Sequence, residues 1–207
     1  MLSLRLAKIA CVAALALYVG VVAFGNVADY WTNFAFVTHV LDMDQLPKES
    51  SIRWRAITSV TLHHAIYLLI IGTEIVITAL AVKGAISMAR RCKASALSFQ
   101  KAKSSAVVAL KLGFLLYEGG FVAVAGEWFG MWQAQQWNGV PSAFRAATTM
   151  LGVLIFVAGM TYIYRLLRAG VVPSLSPMPA HANPKRPLAV LRWGADADAV
   201  PHKIPAE

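Results

Sequence analysis

"TLHHAIYLLIIGTE", residues 61–74, sets two histidines and a glutamate inside one of the most apolar runs of the chain. Ionisable groups are expensive in such a run unless a nearby group or a function needs them. The surrounding composition says what kind of run it is. Of 207 residues, 58% are hydrophobic and 14% charged, and the mean hydropathy is +0.59. A soluble domain carries roughly a quarter charged residues, so the deficit points to the membrane.

Four apolar stretches are long enough to cross it, since a span needs about 20 residues at about 1.5 Å of rise each. They place spans at about 6–25, 57–82, 106–132 and 146–167. The expected fold is an all-α integral membrane bundle of four transmembrane helices within residues 1–169. The first stretch also has signal-peptide features: Arg5 and Lys8 precede it, and Ala23-Phe24-Gly25 loosely resembles a cleavage site. Its apolar run exceeds the ~7–15 residues of a signal core, and we read it as a retained span.

The net charge of +9 is unevenly spread. Residues 83–105 hold Lys83, Arg90, Arg91, Lys93, Lys101 and Lys103 and no acid, and Arg5 and Lys8 open the chain. In segments 26–56 and 133–145, Lys48, Arg53, Arg55 and Arg145 are opposed by Asp29, Asp42, Asp44 and Glu49. The positive-inside rule then puts both termini and the middle loop in the cytoplasm. The basic balance is a topology signal with anionic lipid as a secondary contact, and no nucleic-acid partner is expected. Residues 170–207 hold seven of the nine prolines and are expected to form a disordered cytoplasmic tail. Cys11 and Cys92 fall in a span and in the cytoplasmic loop, which argues against a disulfide, and no CxxCH motif for covalent haem occurs.

Residues 26–55 are too aromatic for a slack loop. Tyr30, Phe34, Val37 and Leu41 recur at helical spacing, which predicts a short amphipathic helix on the outer membrane surface. Trp31, Trp54, Trp128, Trp132 and Trp137 fall near the same interface. The halves also echo one another. "WRAITS" at 54–59 resembles "FRAATT" at 144–149, and "GNVADYW" at 25–31 resembles "GEWFGMW" at 126–132, as a tandem two-helix repeat would require.

At about 100° per residue, His63, Tyr67, Ile70 and Glu74 share one face of the second helix. Glu118 and Glu127, nine residues apart, fall on opposite faces of the third. Counting from mid-span puts His63 and His64 roughly 10 Å outside the centre and Glu127 level with them. Glu74 falls about 6 Å to the cytoplasmic side and Glu118 near the centre. A histidine of the pair is therefore expected to face a buried Glu127, with His39, Asp42, Met43 and Asp44 folded over the same point.

Four readings follow. These polar groups hold helices together through interhelical hydrogen bonds. Alternatively His39, His63, His64 and Glu127 bind zinc, or copper if Met43 joins them. A third reading is a quinone or proton-relay site on His63, Tyr67, Glu74 and Glu118. The last is haem b held between His39 and one of the pair.

At "NFAFVTHVLDMD", "WRAI", "LHHAIYLLIIGTE" and "GEWFGMWQAQQWNG…AFR" the chain resembles a bacterial family of predicted small integral membrane proteins of unknown function. The resemblance runs from about residue 17 to 168 and leaves out the proline-rich tail. It implies a four-span protein of the bacterial inner membrane and carries no activity with it. The expected function is a non-enzymatic accessory or structural subunit in the lipid bilayer, packed against a larger membrane complex or a second copy. No cofactor is assigned, and none is the expectation; the alternative is a metal-, haem- or quinone-binding redox subunit near the periplasmic face. No nucleophile with a partnered base and no phosphate loop is visible.

Overall fold

The computed structural model describes residues 2–168, with side chains to residue 159; the expected tail at 170–207 lies outside the described residues. Four helices are long and apolar enough to cross a membrane, and no strand occurs among the described residues. The chain is an all-α, four-span membrane bundle. Its elements are α1 (Leu2–Ala28), α2 (Tyr30–Asp42), α3 (Val60–Arg90), α4 (Ala96–Ala102), α5 (Ser104–Phe114) and α6 (Val140–Arg168). α5 continues directly as a π-helix over Leu115–Trp128. α1 lies along α3, α3 along α5, and α5 with its π-helical extension along α6.

Backbone hydrogen bonds move the span limits away from the hydropathy limits. α3 starts at Val60 rather than near 57 because the Ile57 N–H donates to the Leu41 carbonyl at 2.9 Å, which keeps 56–59 out of the helix. The third span begins at Ala96, where Ser95 Oγ caps the Ser98 N–H at 3.3 Å, and passes a bend at Lys103 into α5. At its other end the chain turns at Gly130, whose φ of 69° is the left-handed region open to glycine.

Lipid tails are as apolar as leucine, so spanning helices associate through close packing of small side chains. Ala16, Ala81, Ala102, Ala106, Ala109, Ala146 and Ala147 fill this role in the core. The tightest approach is α3 on α5: a Cβ on Gly84 would lie 2.6 Å from the Ala106 backbone nitrogen. A second apolar cluster under α2 joins Val37, Leu41, Met43, Leu46, Tyr67, Phe129 and Met131. The α2 spacing read from sequence holds, and its apolar face packs on α3. Trp31, Trp54, Trp128 and Trp132 remain exposed at this end of the bundle.

Candidate ligand chamber

Glu74 is the only buried carboxylate among the described residues, at 1% exposure. α3 turns it towards the end of α1, where the Asn26 side-chain amide donates to its Oε2 at 2.8 Å. About two helical turns earlier on α3, the Tyr67 hydroxyl donates to the Asn26 backbone carbonyl at 2.9 Å. Tyr67 and Glu74 therefore share one asparagine, as their common helix face allows. Beside them is a cavity of about 350 Å³, lined by Tyr18, Asn26, Tyr67, Glu74, Tyr117, Phe121 and Ser142 among others. Among the described residues no lysine, arginine or histidine lines it. Tyr117 is 6% exposed, and its hydroxyl has no hydrogen-bond partner among the described residues.

A second, almost wholly apolar groove of about 400 Å³ runs between α2, α3 and the π-helix. Phe36, Val37, Ile70 and Phe121 belong to the linings of both spaces. Leu69 and Val124, on the groove's outer side, are exposed on the face that meets lipid. The chamber and the groove therefore share part of their walls.

The π-helix explains which third-span residues reach the chamber. Each i→i−5 bond widens the turn, so a face recurs every four to five residues or so rather than every three to four; Phe129 N–H to Val124 O at 3.0 Å is one such bond. Tyr117 and Gly126, nine residues apart, are both buried. In α geometry they would lie on opposite faces.

The same widening corrects two expectations. Glu127 is exposed rather than buried against α3, and it faces neither histidine. Glu118 is half-buried on the neighbouring position and does not line the chamber, whereas Tyr117 does.

The histidines do not converge either. His63 is buried, its Nε2 donating to the Ile57 carbonyl, with Asp42 Oδ1 at 3.6 Å. That carbonyl partner assigns the proton to Nε2. His64 meets the Tyr30 hydroxyl at 2.7 Å and stacks on Phe34 at 4.0 Å. His39 pairs with Asp44 and stacks on Trp137 at 4.7 Å. Each imidazole is thus engaged locally through one nitrogen, His63 Nδ1 being buried without a partner among the described residues, and Met43 is sealed in the apolar cluster. Among the described residues no group of three or more His, Cys, Asp or Glu is arranged to hold a metal. His39, His63, His64 and Glu127 are not brought together as ligands, and among the described residues each of these imidazoles packs against a partner other than a second imidazole.

Of the relay set His63, Tyr67, Glu74 and Glu118, only Tyr67 and Glu74 meet. Asn26, Tyr117 and Tyr18 complete the chamber and were missed from sequence. Asn26 sits in the "GNVADYW" echo, where it had been read only as part of a repeat.

Residues 4–159 match the family described as predicted small integral membrane protein (DUF2165). The chain belongs to this family. The match covers all four candidate spans and the chamber, and it stops short of the tail. No curated protein and no solved structure matches the chain.

Proposed function

We propose that this family member is a non-enzymatic accessory protein of the bacterial inner membrane that holds a small bilayer-soluble molecule in the Glu74 chamber. The carrying observation is Tyr117, which lines the same cavity as Glu74 and whose hydroxyl is buried without a partner among the described residues. Leaving a buried donor unmade costs about 1–3 kcal/mol, and a ligand oxygen or nitrogen would recover it. A space of a few hundred Å³ with mainly apolar walls and a few convergent polar groups is the usual form of a small-molecule site. The apolar groove beside it supports entry from the bilayer rather than from water.

The charge bias supports an orientation with both termini cytoplasmic, which opens the chamber towards the periplasmic half. Packing against a larger membrane complex or a second copy fits the same role, with the lipid-facing surface free for it.

The test is the content of the purified protein. After extraction into lipid nanodiscs, mass spectrometry of the organic extract should find a lipophilic small molecule at near one per chain. Ser142→Trp should lose it, because Ser142 is exposed at the chamber rim and an indole there would cover the mouth. An identical small-molecule content in the two proteins would overturn the proposal.

A further inference from the structure

The chamber's chemistry narrows the ligand. This step rests on the chamber being a ligand site and adds what it selects. Among the described residues Glu74 is the one formally charged side chain in the lining, and its side-chain partner is a neutral amide, Asn26. Buried charges in proteins are paired with an opposite charge or a metal. Arg145 lines an adjoining cavity and is turned to Ser142 Oγ at 2.9 Å. It does not enter the chamber.

Around the carboxylate stand aromatic rings. Tyr67 and Tyr117 are buried, Tyr117 and Phe121 stack at 5.9 Å, and Tyr18 stands at the rim. Aromatic faces carry negative potential and attract cations, most strongly where water is excluded. A carboxylate ringed by such faces repels phosphate and carboxylate headgroups. To a neutral carbonyl it offers one free donor, the Tyr117 hydroxyl, since the Tyr67 hydroxyl is already given to Asn26, and such a ligand would leave the carboxylate without a counter-charge. A cation satisfies both features at once. The walls shared with the apolar groove ask that the cation also be greasy.

We infer that the Glu74 chamber binds lipophilic monovalent organic cations, such as amphiphilic amines or quaternary ammonium and phosphonium compounds. Glu74 supplies the counter-charge, and Tyr67, Tyr117 and Phe121 supply the cation-binding faces. Asn26 positions the carboxylate without neutralising it.

The experiment uses three probes of similar shape and different charge on the full chain in nanodiscs of neutral lipid. They are tetraphenylphosphonium, triphenylphosphine oxide and tetraphenylborate, each followed by equilibrium dialysis against empty nanodiscs. Tetraphenylphosphonium should bind saturably at one per chain, and the neutral and anionic probes should not exceed the empty discs. Glu74→Gln should weaken the cation by about tenfold or more. Helical circular dichroism of this variant with heating, in the same nanodiscs, guards against a fold defect.

Cation binding that survives Glu74→Gln would overturn the inference. So would tighter binding of triphenylphosphine oxide than of the cation; if Ser142→Trp abolished that binding, the chamber would stand as a ligand site of another class. Failure of every probe, together with no co-purifying molecule, would overturn both readings.

Discussion

Two places in this bundle bury ionisable side chains, and they solve the problem differently. At the chamber, Glu74 takes one amide hydrogen bond and adjoins open space with an unsatisfied tyrosine. At the opposite end, Lys8 and Lys103 are each 2% exposed, and both ammonium groups donate to one carbonyl, that of Val157, at 3.3 and 3.0 Å. Lys103 also donates to Gln100 Oε1 at 2.6 Å. Phe156 lies under Lys8, and Phe99 under both Lys103 and Arg5. Arg5 Nη1 closes the end on the Cys92 and Ala94 carbonyls at 2.8 and 2.6 Å. The lysines join α1, α5 and α6 by their own hydrogen bonds. The glutamate keeps capacity in reserve. Burial of a charge alone therefore does not mark a site; burial beside unmet hydrogen-bonding capacity and space does.

The largest expected effect tests how tightly the lysine end is built. Gly84→Ala would drive a methyl into the Ala106 backbone, which cannot swing aside as a side chain would. Overpacking of this kind costs about 3 kcal/mol. Gly120, beside the apolar groove, has only a Leu116 methyl at 3.8 Å from its Cβ position. Gly120→Ala should be close to neutral. Unfolding of the two variants in nanodiscs, followed by helical circular dichroism with heating, gives the comparison directly. Equal stabilities would mean that the lysine end is no better packed than the chamber end.

The next effect concerns the lysines themselves. Lys103→Met keeps the apolar stem against Phe99 and removes the donor to Gln100 and Val157. The acceptors left behind should cost about 1–3 kcal/mol. Lys8→Met should cost less, since its bond to Val157 is long at 3.3 Å and Lys103 still serves that carbonyl. The same unfolding assay should rank them in that order. A Lys8 variant weaker than the Lys103 variant would break the picture of Lys103 as the joint.

The four spans and α2 were legible in the sequence because both depend on side-chain transfer and periodicity, which composition records residue by residue. Span ends shifted by several residues because backbone bonds, such as Ile57 to Leu41, set them. The chamber was half legible. His63, Tyr67, Ile70 and Glu74 share a face of a regular α-helix, and Tyr67 and Glu74 do meet. The third span was read with the wrong pitch. An i→i−5 backbone pattern leaves no mark in side-chain type, so counting in α turns buried Glu127 and overlooked Tyr117. Asn26 was missed for another reason: one polar residue at a span end is common, and only the fold shows Glu74 opposite it.

The smallest expected effect is the most informative. Glu74→Gln removes the buried charge but keeps an oxygen at the same reach, so Asn26 still has its acceptor. Interhelical polar contacts in membranes average about 0.6 kcal/mol, and the substitution conserves this one. Stability in nanodiscs should therefore change by less than about 0.6 kcal/mol, with relief of charge burial working in the stabilising direction. Lys103→Met should be clearly worse by the same assay. If Glu74 were a joint like Lys103, the conservative change would cost as much as the lysine change does. A stable protein that has lost its bound cation separates the two kinds of burial. A Glu74→Gln variant that unfolds as readily as Lys103→Met would show that the carboxylate holds the helices together instead.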